Sequence, residues 1–331
     1  MTSDKQNLRE VISGLPKQFL QAFETVQIKI PETTKNIVFC GLGGSAFPAE
    51  LFQTFLEATK TKFNASLSIS RDYTLPHFVD SSWAGFFSSY SGNTEETVSA
   101  LAEAEKVGLS PIVIFARNGQ LKQIAADKNY QFIEIPDFKQ PRMSYGYFVG
   151  ALLKLFQNSN LLTVNFDELA QSVQQCLSEQ PRIEEKAKKL AESIKGKISL
   201  IYTSDLWKNV AKVWKINFNE NAKTQCFWNY FPELNHNEMV GFDSLVGDYQ
   251  VIILKDPADH ERNKKRMALF QELLAGKLNV EIIEMPGPAP FYKMLWSLWL
   301  GLWTSYHLAL LNNVDPTPVE LVEKFKQKMA E

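Results

Sequence analysis

Apolar residues recur at three- to four-residue intervals near the start of the chain, at Leu8, Val11, Ile12, Leu15, Phe19, Leu20 and Phe23, and predict a helical packing arm over 1–30. The period then changes. A short unbroken apolar run at 36–40 has the length of a buried parallel strand; a glycine turn follows it, and then 47–61 reads as a helix with Leu51, Phe52, Phe55 and Leu56 on one face. Further strands are predicted at 66–70, 84–88, 111–115 and 131–135, with helices at 95–107 and 118–128. After Pro141 and Arg142 the pattern becomes helical over 144–156, and the charged run 184–189 reads as a solvated helix face. Alternation resumes with strands at 198–202, 250–254 and 280–283 and helices at 206–220 and 261–275. Strands alternating with helices predict a doubly wound, mainly parallel sheet flanked by helices, and the second series predicts another. The fold class is therefore α/β, with domains expected over 1–150, including the N-terminal arm, and 151–331.

The stretch 291–311 nearly reaches the length of a membrane span. Lys293, Ser297, Thr304, Ser305, Tyr306 and His307 interrupt it, and Trp296, Trp299 and Trp303 recur at helical spacing. This favours a helix buried between domains or subunits, with His307 as a satisfied core histidine. The chain closes on 314–324, where Pro316 and Pro318 are expected in the first turn of a last helix.

Composition narrows the classes. At 331 residues, 45% hydrophobic and 22% charged, the chain can bury two ordinary cores. A net charge of -2 without any Lys/Arg stripe argues against a nucleic-acid partner. Cys40, Cys176 and Cys226 are odd in number and far apart, which suggests neither a disulfide framework nor a zinc site and fits a reducing compartment. The N-terminal residues lack a secretory pattern, so a cytoplasmic protein is expected.

The candidate chemistry begins at 88–97, where four hydroxyl residues and Gly92 stand between a strand and a helix start. Backbone N–H groups at such a turn lack intrahelical partners and sit at the positive end of the helix dipole, so the segment reads as an oxyanion cradle or as an ordinary capped turn. A second Ser/Gly turn at 40–46 favours the cradle. That turn also fits G-x-G-x-x-A loosely, which makes a dinucleotide fold the rival reading. The acidic residue such a site wants about 20 positions on is represented only by Asp72, 26 beyond the motif. Two hydroxyl-rich turns suit one small phosphate better. Glu220 stands among asparagines at a predicted helix end, where the negative pole of the dipole disfavours the ionised carboxylate, as a general base requires; an exposed, capped helix end is the alternative. His236 is the natural proton carrier of the chain. It could bind metal only with Glu238, and no second histidine lies at ligand spacing, so no metal is expected. His77 and His260 are expected to face solvent.

Taken together, Gly43-Gly44-Ser45, Ser89 to Thr94, Pro141-Arg142, Asn219 to Lys223, Glu233 to Glu238 and Asp315 to Val319 resemble the bifunctional phosphoglucose/phosphomannose isomerases, two-domain members of the sugar isomerase (SIS) superfamily. The motifs run in order along nearly the whole chain, with His236 16 positions after Glu220. Ala46 stands where the family usually has glycine, which bears on the first phosphate turn. The resemblance implies two SIS-type αβα domains and an aldose-ketose isomerase that interconverts glucose 6-phosphate and mannose 6-phosphate with fructose 6-phosphate through a cis-enediolate. It implies that Gly44, Ser45, Ser89, Ser91 and Thr94 hold the phosphate, that Glu220 is the base, that Arg142 stabilises the enediolate, that His236 and Lys324 assist ring opening, and that Thr317 bears on epimer selectivity. It further implies a homodimer whose site is shared across the subunit contact, a sugar phosphate as the partner, no cofactor and no membrane. An isomerase restricted to glucose 6-phosphate and a non-catalytic sugar-phosphate-binding regulator are the alternatives.

Overall fold

The structure, a computed structural model, describes residues 3–329, so the first two residues of the expected arm lie outside it. The chain divides into two compact units, Gly14–Gln174 and a second made of the residues up to Ser13 with those from Gln175 onward.

The arm forms α1 (Leu8–Thr25), which contributes to both units. Its expected stripe is the buried one, with Leu8, Ile12, Leu15, Phe19 and Phe23 inside. The helix stops five residues short of residue 30, where the chain runs extended and the Ile30 N–H donates to Ser159 Oγ at 2.9 Å. The first unit continues as β1 (Asn36–Gly41), α2 (Phe47–Thr59), β2 (Ser66–Ser70), β3 (Ala84–Ser89), α3 (Glu95–Val107), β4 (Ile112–Ala116), α4 (Gly119–Lys128), β5 (Gln131–Glu134), α5 (Tyr145–Asn158) and α6 (Phe166–Ser178). The division expected at 150 falls inside α5, whose apolar run is unbroken there. All five strands are parallel, in the order β2-β1-β3-β4-β5. Side chains alternate between the two sheet faces. Val38, Cys40, Phe87, Ile114 and Ala116 face Ala100, Leu101 and Ala104 of α3 and Leu121 and Ala125 of α4. On the other face Phe86 and Phe115 meet Phe156 and Phe148 of α5, with ring centroids 5.7 and 6.1 Å apart.

The second unit runs through α7 (Gln180–Ile194), β6 (Ile198–Ser204), α8 (Lys208–Glu220), β7 (Cys226–Phe231), β8 (Tyr249–Lys255), α9 (Glu261–Leu273), β9 (Asn279–Glu284), α10 (Pro290–Leu311) and α11 (Glu320–Met329). Its sheet is again parallel, in the order β7-β6-β8-β9. Strand β7 has no counterpart in the sequence reading. It is an edge strand whose middle is only partly covered, with Phe227 52% exposed, so it lacks the continuous apolar run that marks a central parallel strand. The final helix differs as well. Pro316 and Pro318 precede α11 instead of starting it, because the Asp315 carboxylate holds the Thr317 N–H at 3.1 Å in a local turn first.

The tryptophan-rich helix α10 packs on α7 and α8 of its own unit and is buried within the single chain, so its burial needs no second subunit. Trp214 of α8 lies against Gly301, where an added Cβ would come within 2.4 Å of the indole, and its Nε1–H donates to the Ser297 carbonyl at 2.8 Å. Two hydroxyl residues of α10 are accommodated by bonds within the helix: Thr304 Oγ1 donates to the Leu300 carbonyl and Ser305 Oγ to that of Leu302. Among the described residues, no helix is long and apolar enough to cross a membrane.

His307 departs from the satisfied core histidine expected. It stacks on Trp303 with centroids 6.0 Å apart, and its Nε2 lies 3.5 Å from Glu184 Oε1 without making a hydrogen bond. Burial first, then the charges of Arg9 and Lys188, lower its pKa from 6.5 to about 4 against the opposing pull of Glu185. The unfolded chain takes up this proton near 6.5 and the folded chain only near 4, so the stability is present in full above the upper value and is lost as pH falls toward the lower one. In scanning calorimetry between pH 7 and 4, the wild-type Tm is expected to fall across this window. His307→Leu should show a shallower fall, and an identical slope in the variant would exclude the histidine as its source.

Candidate active site

In the order β2-β1-β3-β4-β5 the chain leaves β1 toward one side of the sheet and returns to the other at β3. The carboxyl ends of these two strands therefore form a topological switch point, and the crevice outside such a point is where open α/β sheets bind ligands. The register pairs Gly41 with Ser88, so the turns that follow the two strands emerge side by side. They are the two turns singled out by composition.

The turns are bonded to each other. The Tyr90 N–H donates to Ser45 Oγ at 2.9 Å, which leaves the Ser45 hydroxyl proton available to an anion. Ser89 is fully buried; its Oγ accepts from the N–H groups of Gly92 at 3.1 Å and Thr94 at 3.3 Å and pairs with Thr94 Oγ1 at 2.7 Å. Ser91 is exposed and Thr94 partly exposed, so these two hydroxyls can be reached from solvent. Behind the loop, Gly92 at φ 74° and Gly119 at φ 76° lie against each other's segments, and a Cβ on Gly92 would come within 1.7 Å of the Asn118 carbonyl oxygen. Both positions require glycine for its left-handed backbone and for the close approach. Asn93 Oδ1 completes the brace by accepting the Gln120 N–H at 2.8 Å.

Arg142 belongs to the same assembly. It lies in the short 3₁₀ turn Pro141–Met143, only 1% exposed, and its Nη1 donates to Gln140 Oε1 at 3.3 Å. Gly44 of the first of these turns packs so closely on this segment that a Cβ there would come within 2.7 Å of the Arg142 backbone nitrogen. Ala46 is buried and its N–H donates to the Gly43 carbonyl at 3.1 Å, so the turn closes with alanine in that place. Tyr90 supplies a link that the sequence reading missed. Its hydroxyl accepts from the Phe138 N–H at 2.8 Å and donates to Asp137 Oδ1 at 3.2 Å, so the second hydroxyl-rich turn is joined to the segment that leads to Arg142. Burial is the main cause that pushes this phenol up to about 12, and it stays a proton donor throughout the neutral range. A tyrosine inside a serine-rich turn was the only signal available in the sequence.

The second unit carries Glu220, His236, Thr317 and Lys324. Glu220 is the last residue of α8 and partly exposed. The asparagines around it fix the helix end: Asn221 Nδ2 donates to Ser305 Oγ at 2.9 Å and Asn219 Nδ2 to the Thr224 carbonyl at 2.8 Å. Lys223 Nζ donates to the Glu220 carbonyl at 2.6 Å, which neutralises the negative pole of the helix there. His236 ends the turn Glu233–His236 and is exposed. Thr317 is buried, and Lys324 lies on the exposed helix α11. His77 and His260 are exposed, and His260 Nδ1 caps α9 by accepting the Arg262 N–H at 3.1 Å. Among the described residues, no three His, Cys, Asp or Glu side chains gather as a metal site.

A family model described as the bacterial phospho-glucose isomerase C-terminal SIS domain matches residues 183–329. The bifunctional phosphoglucose/phosphomannose isomerase of Caldicellulosiruptor bescii is 34% identical over 97% of this chain and 98% of its own. The enzyme of the same name from Aquifex aeolicus is 34% identical over 89% of this chain and 90% of its own. The chain belongs to the bifunctional phosphoglucose/phosphomannose isomerase family. As a member of that family it is an isomerase. The C-terminal domain of glucosamine-fructose-6-phosphate aminotransferase from Francisella tularensis shares the fold, with a TM-score of 0.71 at 13% identity over 95% of this chain and 98% of that one.

In this isomerase the two parallel sheets are not equivalent at their switch points. The carboxyl ends of β6 and β8 are the counterpart of those of β1 and β3, but they carry an acidic cluster instead of hydroxyl turns. Asp256, directly after β8, accepts from Lys293 Nζ at 2.5 Å, Trp207 Nε1 at 3.1 Å and the Ala258 N–H at 2.8 Å. Ser204, at the end of β6, donates to Asp259 at 2.6 Å. Burial above all raises the Asp259 pKa, while the Ser204 hydrogen bond opposes it. Internal partners fill this crevice, and two carboxyl groups make it unfavourable for an anion. Asp256 escaped the sequence reading because it looks like an ordinary charge after a strand, and Lys293 was read only as an interruption of the apolar run 291–311.

Proposed function

We propose that the protein interconverts fructose 6-phosphate with glucose 6-phosphate and mannose 6-phosphate. Ser45, Ser91 and Thr94 hold the phosphate on the framework of Gly44 and Ser89, and Glu220 moves a proton between C1 and C2 of the open-chain sugar. Arg142 stabilises the cis-enediolate, and His236 and Lys324 assist ring opening. The observation that carries the reading is the packing of the Arg142 turn on Gly44, within the unit that holds both phosphate turns. A fixed cation beside an anion cradle matches what removal of a proton alpha to a carbonyl needs, a poised base and a positive charge facing the developing oxyanion. Thr317 is assigned to epimer selectivity.

The working form in this proposal is a cytoplasmic homodimer with His236 contributed across the subunit contact. What supports it is the exposure of His236 and of an apolar face on α11, where Leu321, Val322 and Phe325 are 83, 46 and 64% exposed and no residue of the helix is buried. Metabolic roles in glycolysis, gluconeogenesis or mannose supply follow from the same reaction.

The test is a direct assay of both aldose phosphates against fructose 6-phosphate. Turnover of one aldose alone would restrict the reading to that epimer, and tight binding without turnover would make the protein a sugar-phosphate sensor. Ser91→Ala combined with Thr94→Ala is expected to raise KM by about 10²-fold, roughly 1.5 kcal/mol for each lost hydrogen bond to a charged group. An unchanged KM would remove both hydroxyls from the phosphate site.

A further inference from the structure

The segment Glu233 to Glu238 folds as two consecutive 3₁₀ turns, Glu233–His236 and Glu238–Asp243, and its polar side chains other than His236 are tied down. Asn237 Oδ1 accepts the Glu238 N–H at 2.6 Å, and its Nδ2 donates to Glu233 Oε1 at 2.8 Å. Asn235 donates to Met239 Sδ at 2.9 Å and accepts from Arg266 of α9 at 3.3 Å. Glu238 reaches the sheet: the Tyr202 hydroxyl of β6 donates to one of its carboxylate oxygens and the Asn229 amide of β7 to the other. Tyr202 is fully buried and wedged edge-on between Phe231 and Phe270, so this anchor cannot swing. Burial, reinforced by the Glu238 charge, drives its phenol far up, and it remains a donor at every working pH. His236, two residues before Glu238, carries none of these tethers and is exposed.

The catalytic roles proposed above leave Glu238 unused. A hydrogen bond from a neutral donor to a carboxylate acceptor is among the stronger kinds, and here two of them join one carboxylate to two adjacent strands. Such a clamp on a short turn removes the freedom that an exposed histidine would otherwise have. We infer that Glu238, held by Tyr202 and Asn229, is a positioning residue that fixes the backbone presenting the His236 imidazole for opening of the sugar ring. The inference rests on the ring-opening role proposed for His236. Glu238 itself touches no reacting atom.

Glu238→Ala and Glu238→Gln are compared with wild type by three measurements. One is the anomer interconversion of glucose 6-phosphate, followed by exchange NMR. Another is the isomerisation of a four-carbon aldose phosphate, whose terminal oxygen is phosphorylated and which therefore cannot close a ring. The third is the His236 Hε1 resonance, assigned with a His236→Asn variant. Glu238→Ala is expected to slow anomer interconversion by about 10²-fold, the loss that a misplacement of about an ångström produces. It should leave the four-carbon reaction unchanged and move the His236 resonance to its random-coil position. Glu238→Gln, whose carboxamide can still pair with Tyr202 and Asn229, should restore the anomer rate and the resonance. Wild-type anomer rates with an unmoved resonance in Glu238→Ala would overturn the inference. If wild type catalyses neither sugar reaction, the proposed function fails, and the His236 resonance alone still decides whether Glu238 positions it. Should Glu238→Ala not fold, Asn229→Ala removes one of the two tethers and is read in the same way.

Discussion

Glu220→Gln is expected to lower kcat for fructose 6-phosphate isomerisation by about 10³-fold, within the range a positioned general base supplies. KM should stay close to wild type, because the proposed phosphate ligands are Ser45, Ser91 and Thr94 and the substitution leaves them intact. The helix end is fixed by Asn221 on Ser305, by Asn219 on the Thr224 carbonyl and by Lys223 on the Glu220 carbonyl, and none of these bonds uses the Glu220 carboxylate. A glutamine there keeps its size and the cap and loses the capacity to accept a proton. Exchange of the substrate C2 proton with solvent should fall in parallel with kcat, as both pass through the enediolate. Turnover near wild type in a folded variant would assign the proton transfer to another group.

Lys293→Met is expected to cost about 3–5 kcal/mol of stability, the penalty for breaking a buried ion pair by removing one partner. Both members of the Lys293–Asp256 pair are 5% exposed, 2.5 Å apart. Among the described residues the variant leaves Asp256 with the Trp207 indole and the Ala258 N–H as donors, too little to stabilise a buried carboxylate. Urea denaturation should show the midpoint falling at an unchanged slope for the unit concerned. Lys293→Met combined with Asp256→Asn should recover a large part of the loss, since it also removes the stranded charge. A loss below about 1 kcal/mol in the single variant would mean that water reaches the pair and that it behaves as a surface bridge. Because this cluster fills the crevice of the second sheet, the double variant also tests whether charge alone keeps phosphate out of it.

Parts of the candidate site could be proposed from the sequence because their chemistry is local. Ser89, Ser91 and Thr94 crowd into six residues beside a glycine, and the meaning of that composition at a strand end does not depend on distant contacts. Glu220 stood out because the asparagines around it are unusual at a helix end. Ser89 shows the limit of such reading. Its residue type suggested a phosphate ligand, and the fold buries it as the acceptor that shapes the loop. Tyr90, Glu238 and Asp256 were illegible for a common reason. Each acts through a partner far away in sequence, Phe138 for Tyr90, Tyr202 for Glu238 and Lys293 for Asp256, and no periodicity records such a pairing.

By itself the sequence determined the α/β class, the alternation of parallel strands with helices in two series, and the turns at 40–46 and 88–97. These follow from local rules, the two-residue and 3.6-residue periods and the backbone freedom of glycine. Tertiary structure alone decided the strand order that brings the ends of β1 and β3 together, the place of β7 at a sheet edge, and the burial of α10 within its own unit. It also decided which switch point offers hydroxyl groups and which is closed by an ion pair. Strand neighbours and buried partners are chosen by how apolar faces pack over long separations along the chain, and short-range patterning leaves that choice open.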